Sequence, residues 1–376
     1  MDSIVNSIDH HFSGLPDPRR QYGNITHDFH DVLIISISAI LSGADNWTAV
    51  SEFGVQKFDW LSSFLNLKNG IPSHDVFSSI FSKISTKTFS ECFVSWTSSI
   101  CHLLPGEVVA IDGKTLRRSH DKSAKLKAAH VVSAWANENR MVLGQVKTSE
   151  KSNEITAIPE LLQMLELKGC LVTIDAMGCQ KKIVAAIIDK EADYLIAVKD
   201  NQPKLYTEIR GAFKANNSNE YIDVECDYAD HIDDGHGRVA ERRCWVIKKY
   251  ISERTKEWKG LSSIVMIEST RSVDGKTTIE YRYYITSSSQ DAKKILHSTR
   301  EHWGVENSLH WVLDIAFRED EKRIRKGSGA ANFSILRHIA LNLLRKDSSK
   351  LGIPNKMLKA GWSDTYREKL LSGLGF

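Results

Sequence analysis

After Pro105-Gly106 the chain switches from helical periodicity to an unbroken β-branched run, Val108-Val109-Ala110-Ile111, that stops on a carboxylate, Asp112. Such a short apolar run, bounded by turn residues, reads as a buried strand. Two further strands are predicted over residues 130–136 and 141–147, and a helix over 153–167. Leu171-Val172-Thr173-Ile174 repeats the first signal, a strand that stops on Asp175. A helix over 180–189 and a strand over 193–198 complete the series.

The order β-β-β-α-β-α-β leaves few topologies. Consecutive strands with short links pair as an antiparallel meander, whereas strands separated by helices cross over in parallel. Together these predict a mixed α/β fold with a ribonuclease H-like core. In parallel arrangements functional groups collect at the carboxyl ends of the strands. Asp112 and Asp175 both occupy such ends, on strands expected side by side.

The flanks differ in character. Residues 1–105 read as helical. A buried-looking helix over 28–42 is stopped by Gly43, and a second runs over 48–64. Ser73 follows the turn Gly70-Ile71-Pro72 as an N-cap, and two shorter helices end near Leu104. Strands are predicted over 221–226, 239–248, 263–269 and 279–285, which makes 215–288 a β-rich insertion; helices return from Asp291. The expected division is a helical N-terminal part, 1–105, with DNA binding as its candidate role, and a catalytic part, 106–376.

Bulk properties exclude more than they select. A net charge of +3 over 376 residues does not by itself point to nucleic acid, so the placement of charge must decide. The six cysteines include no C-x-x-C pair, which argues against a structural zinc. The first residues carry no basic leader, and the apolar stretch 32–41 is far below the ~20 residues needed to span a bilayer. The expectation is a cytoplasmic protein with reduced thiols and no membrane partner.

Two aspartates at adjacent strand ends are part of a site for hard cations. Mg²⁺ takes carboxylates and waters in octahedral geometry. Two such ions ~3.5–4 Å apart stabilise the attacking and leaving oxygens of phosphodiester cleavage. The third acid should come from the helical region after the insertion, and Glu306 is the best placed. On a helix His302, Glu306 and His310 recur at i, i+4 and i+8 on one face, with Trp303 and Trp311 able to pack beside them. Each residue alone has a blander reading. Asp112-Gly113 is a turn dipeptide, Asp175 can simply cap the next turn, a lone helical Glu is usually solvated, and histidines more often pack than ligate.

These residues sit in longer collinear stretches: "DPRR" (17–20), "LSGADNW" (41–47), "GIPSHD" (70–75), "AIDGKTLR" (110–117), "EKSNEITAIPELL" (150–162), "TIDAMGCQ" (173–180), "HWGVENSLHWVLD" (302–314) and "IRKG" (324–327). In this the chain resembles the H-repeat-associated proteins, a family of bacterial insertion-sequence transposases with a DDE catalytic domain. The resemblance implies that the aspartate of the IDGK motif is Asp112, that of TIDAMG is Asp175, and the glutamate of HW-x-x-EN is Glu306. It also implies Mg²⁺ or Mn²⁺, two ions, held by these three acids. The implied substrate is double-stranded DNA, at the element's terminal inverted repeats and in the target, handled by a homodimer in a synaptic complex. Two departures stand out. Asp200 replaces a usual glycine in "VKDNQ", a strain if that turn needs φ > 0. Thr299, His302 and Leu313 stand where broader DDE transposases carry Tyr, Arg and Lys around the glutamate, so those terminal phosphate contacts do not carry over.

Candidate DNA contacts follow from basic clusters. Lys114, Arg117, Arg118, Lys122, Lys125 and Lys127 face one acid, Asp121; Arg318, Lys322, Arg323, Arg325 and Lys326 are interrupted by Glu319-Asp320-Glu321. Such residues suit phosphates, which position a duplex without reading it, though each cluster also reads as a solvated loop. Lys199, Asn201 and Gln202 close the fifth catalytic strand, Arg238 enters a strand after Gly235-His236-Gly237, and His302 and His310 flank Glu306. The expected function is a DNA transposase that hydrolyses phosphodiesters and transfers strands at element ends. The alternatives are an inactive relic or DNA-binding regulator, and a metal-dependent nuclease or zinc hydrolase using His302 and His310. The absence of H-E-x-x-H disfavours the last.

Overall fold

The computed structural model describes residues 10–372 apart from 21–24, 122–126, 149–153, 219–220, 222–223, 236–237 and 274–275. The N-terminal helices with described bounds are α1 (Phe29–Leu41), α2 (Trp47–Gln56), α3 (Phe58–Ser62), α4 (His74–Lys83) and α5 (Thr86–Ile100). The core follows as β1 (Val108–Thr115), β2 (His130–Ala136), β3 (Met141–Lys147), α6 (Glu154–Met164), β4 (Leu171–Ile174), α7 (Lys181–Asp189), β5 (Asp193–Val198) and α8 (Pro203–Ser218). Then come β6 (Cys226–Gly235), β7 (Arg238–Lys248), β8 (Ser263–Val273) and β9 (Lys276–Thr286). The chain ends in α9 (Ala292–Glu301), a π-helical turn (Val305–His310), α10 (Trp311–Ile315), α11 (Gly329–Lys346), α12 (Ile353–Trp362) and α13 (Asp364–Leu371). No described helix is long and apolar enough to cross a membrane.

All the strands form one sheet in the order β3-β2-β1-β4-β5-β9-β8-β7-β6. β1, β2 and β3 form the antiparallel meander, and β1-β4 and β4-β5 are parallel. This is the ribonuclease H-like arrangement. β9 joins β5 antiparallel, so the strand-rich segment extends the same sheet. Side chains alternate between faces with period two. Val109, Ile111, Val172 and Ile174 pack toward α6 and α7, while Val108, Leu171 and Leu195 pack against Ala292, Ile295 and Leu296 of α9. Both faces of the central strands are therefore dry, which is why they read as continuous apolar runs.

The N-terminal helices share one core with the C-terminal ones. α1 is buried on almost every side and packs against α11, with Phe333, Leu336 and Ile339 in the same cluster as Leu33, Ile37 and Ile40. Asp28, Asn46 and Ser73 cap α1, α2 and α4 by accepting from backbone N–H groups of the first turn.

Two expectations need correction. The single helix over 48–64 breaks at Lys57. The break turns Trp60 and Leu61 into the core, where the Trp60 indole N–H donates to Glu368 at 2.8 Å. The strand expected over 221–226 begins instead at Cys226 and runs to Gly235; Tyr221 is a left-handed turn residue with φ 57°. β6 is an edge strand rich in Asp. Charge on an edge blocks pairing with another chain and hides the strand pattern.

Candidate active site

Register places the two aspartates side by side. Ile111 pairs with Ile174 across the parallel β1-β4 ladder, and Asp112 and Asp175 come next along the chain. β1 does not stop at Asp112 as expected but runs on to Thr115, because Asp112 to Thr115 keep pairing with β2. Asp175 does follow the last residue of β4. Asp175 also caps a short 3₁₀ turn, its Oδ1 accepting from Met177 N at 3.0 Å and Gly178 N at 3.3 Å. The capping and lining readings are therefore both true of it.

Glu306 arrives by a different geometry from the one expected. α9 ends at Glu301, and Glu306 lies in the π-helical turn. His302, Glu306 and His310 still face the same site: the first two line one cavity with Asp112, and the His310 ring meets Asp112. Trp311 is 60% exposed instead of packed beside them. Gly304 permits the approach to the end of β2, because a Cβ there would stand 2.0 Å from Asn137 Oδ1. The outcome is a cavity of about 460 Å³ lined by Asp112, Asp175 and Glu306 together with Thr173, Lys199, Arg282, His302 and Trp303.

The cavity is short of positive charge. Burial pushes the Asp112 carboxyl up to about 6, and the negative charges of Glu154, Asp175 and Glu306 add to the effect. Burial also raises Asp175, with Glu154 adding, against the pull of the Gly178 and Met177 amides and Lys199. Carboxylates that raise one another in this way favour a bound cation. Their hard oxygens suit Mg²⁺ or Mn²⁺. Among the described residues, however, no group of three or more His, Cys, Asp or Glu is drawn close enough to hold a metal ion. The donor chemistry fits, and the side chains as they stand are spread around the cavity wall.

The two histidines have different partners. His302 Nδ1 lies 3.1 Å from Thr173 Oγ1, and His310 Nδ1 lies 3.6 Å from Asp112 Oδ2. Burial pushes both imidazoles down to about 4, so each is neutral near pH 7. As neutral rings they carry no charge for a phosphate, and they meet different partners, Thr173 and Asp112.

The expected DNA contacts scatter. Lys199 is exposed at the cavity, but Asn201 and Gln202 brace the turn after Asp175 by donating to Ala176 O at 2.6 Å and Cys179 O at 2.9 Å. Asp200 does not take a positive φ, so the strain considered for it does not arise. Lys114, expected at a phosphate, is instead buried, its ammonium bonded to Asp314 and 3.2 Å from Glu319 Oε2. Arg117 and Arg118 are exposed, Arg117 paired with Asp320 at 3.1 Å. Arg323 and Arg325 line a second groove with Asn46, Thr48 and His74, and Arg325 Nε donates to Arg118 O at 3.2 Å. Lys122, Lys125, His236, Gly237 and the side chain of Arg238 lie outside the described residues. Sequence reasoning missed Glu154, held by His130 Nε2 at 2.7 Å, and Arg282, whose guanidinium lies 5.4 Å from the Trp303 ring centre. Glu154 stood inside a quoted motif, whereas Arg282 lay in a strand with nothing to mark it.

A ribonuclease H-like sheet with two aspartates side by side, one within β1 and one just past the end of β4, fits the class of DDE-type transposases. The model of the transposase DDE domain matches residues 104–343, and that of the DDE_Tnp_1-associated region matches 10–97. The chain belongs to the DDE transposase family and is similar throughout to its H repeat-associated members. It is 42% identical to "Putative transposase YncI" of Escherichia coli O157:H7, over 99% of this chain and 97% of that one. It is 41% identical to "H repeat-associated putative transposase YhhI" of Escherichia coli strain K12, over 97% of each. A solved piggyBac transposase synaptic complex with hairpin DNA aligns with TM-score 0.46 at 11% identity, over 98% of this chain and 78% of that one.

Proposed function

We propose that Asp112, Asp175 and Glu306 are the catalytic carboxylates of this transposase. Its substrate is double-stranded DNA at the ends of its element, which it cuts and joins to a target. The observation that carries the reading is the convergence of three acids, from β1, β4 and the π-helical turn, on one cavity. Two Mg²⁺ or Mn²⁺ ions held by these oxygens would supply Lewis acidity, lowering the pKa of water and stabilising the leaving oxygen.

The protein's own residues do the rest. The Met177 and Gly178 amides fix one oxygen of Asp175, which orients the other. The Thr173 hydroxyl holds the neutral His302 ring in the cavity wall. Lys199 is the exposed cation among the three acids' neighbours and is assigned to a substrate phosphate. Arg117, Arg118, Arg323 and Arg325 extend the basic surface away from the cavity, and two copies of the chain would hold two element ends together. The helical N-terminal part and the catalytic part act as one body, since they share a core.

The test is a duplex carrying the inverted repeat that flanks the gene, incubated with Mg²⁺. The wild type should nick it at the element end, and Asp112→Ala should bind it without nicking. Binding without nicking by both proteins, in Mg²⁺ and in Mn²⁺, would leave a DNA-binding regulator as the reading.

A further inference from the structure

The ammonium of Lys114 is placed to hold two of the proposed catalytic acids in register. In a strand, residues i and i+2 point to the same face, so Lys114 projects on the side that carries Asp112. It is 9% exposed and meets three groups from the other side of the site. These are the carboxylate of Asp314 in α10, Glu319 Oε2 at 3.2 Å, and the carbonyl of His310, the last residue of the π-helical turn, at 3.4 Å. The same turn carries Glu306, and the His310 ring meets Asp112 at 3.6 Å. One residue of β1 thus grips the segment that delivers the third acid, while its neighbour two positions back is the first acid.

The grip is anchored further back. Glu319 is nearly inaccessible and accepts from Ser334 Oγ at 3.0 Å and Arg337 Nη1 at 3.2 Å, both on α11. Arg337 is 3% exposed, its guanidinium 4.4 Å from the Phe333 ring centre. Two cations, Lys114 and Arg337, face two carboxylates, Asp314 and Glu319, in a largely dry cluster. The neighbouring His338 and His310 are kept neutral by burial. Such a cluster adds little net stability over an apolar one, but it fixes geometry, because a displaced partner leaves a buried charge exposed to no counter-ion. A π-helical turn has no strong preference of its own and needs such external support.

We infer that Lys114, through Glu319 and Arg337, is a positioning residue that sets the separation of Glu306 from Asp112 and so the affinity of the site for divalent cation. This rests on the assignment of the three acids above, and it takes Lys114 out of the set of phosphate contacts. The experiment is Mn²⁺ titration by calorimetry on the full chain, alongside thermal melting and DNA affinity in the absence of metal. Lys114→Met alone leaves the buried Glu319 short of a counter-charge and tests folding as much as positioning. The double variant Lys114→Met with Glu319→Gln, which keeps the cluster neutral, is therefore the informative one. It should melt cooperatively and keep its metal-free DNA affinity and salt dependence, while Mn²⁺ affinity falls about 10–100-fold, the usual effect of losing support behind metal ligands. Mn²⁺ affinity equal to wild type would overturn the inference. So would weaker metal-free DNA binding with a shallower salt dependence, the mark of a lost phosphate contact. Asp112→Asn is the control. If it too leaves Mn²⁺ affinity unchanged, the assignment of the acids fails and the inference with it; if only the double variant does, the inference fails alone.

Discussion

Replacing Asp112 with Asn should make the metal-free protein more stable at neutral pH. The Asp112 carboxyl is held at about 6 against an ordinary value of 3.8, because burial and the nearby acids disfavour its charge. At 1.36 kcal/mol per pH unit, that difference is about 3 kcal/mol. The sign follows from proton binding. Between 3.8 and about 6 the folded chain binds more protons at this site than the unfolded chain, so stability falls as pH rises through that window. Above it the full cost is present; below 3.8 it vanishes. Asn has no charge to bury. With an unfolding entropy of roughly 2.1 cal/mol/K per residue, 3 kcal/mol corresponds to a gain of about 4 °C in a chain of this length. The assay is thermal unfolding of wild type and Asp112→Asn in EDTA, at pH 7.5 and at the lowest pH where both fold reversibly. The variant should melt higher at pH 7.5, and the gap should narrow in acid. Added Mn²⁺ should raise the wild type alone. Equal melting at pH 7.5, or a gap that does not change with pH, would refute the electrostatic account of the cavity.

Other outcomes test the surrounding structure. Gly327 takes φ 52°, and a Cβ there would stand 2.3 Å from the Ser82 carbonyl oxygen, which also accepts from Ser328 N. Gly327→Ala should therefore cost about 2–3 kcal/mol from left-handed strain and a lost hydrogen bond, read as a lower melting temperature; an unchanged melt would contradict the packing of α4 against α11. Lys199→Ala should weaken DNA binding and lower the salt slope by about 1 without changing the melt, and an unchanged slope would remove Lys199 from the phosphate contacts. Cys101, Cys179 and Cys244 are buried, with thiols pushed upward by burial. They should resist alkylation at pH 8 in the folded protein and react once it is denatured; fast labelling of the folded chain would contradict the buried core.

The central strands were legible because burial on both faces strips them to β-branched residues; that β1 runs past Asp112 to Thr115 was not, since Asp112-Gly113 read as a turn. Alternation with helices then fixed which strands lie side by side. α1 was legible for a similar reason, being apolar on nearly every side. What escaped the sequence depends on contacts between distant segments. Lys114 looks like any lysine in a basic loop, and only its meeting with Asp314 and Glu319 shows that its charge is used inside the protein. The π-helical turn also left no mark, since the motif around Glu306 has ordinary helical residues and its extra width comes from packing. The break at Lys57 likewise follows from where Trp60 finds a partner, in α13. Asn201 and Gln202 stood at the correct strand end, but short amides there serve the neighbouring turn before they serve a ligand.

The account's central claim is that Asp112, Asp175 and Glu306 bind the divalent cations used to cut DNA. Nicking rates on the element-end duplex, measured in Mg²⁺ and in Mn²⁺ for Asp112→Cys, Asp175→Cys and Glu306→Gln, address it most directly. A thiolate is a poor ligand for Mg²⁺ and a better one for a softer ion. Both cysteine variants should lose about 100-fold or more in Mg²⁺ and recover in part in Mn²⁺, and Glu306→Gln should be slow in both. Wild-type nicking in Mg²⁺ by any one of the three would contradict the claim.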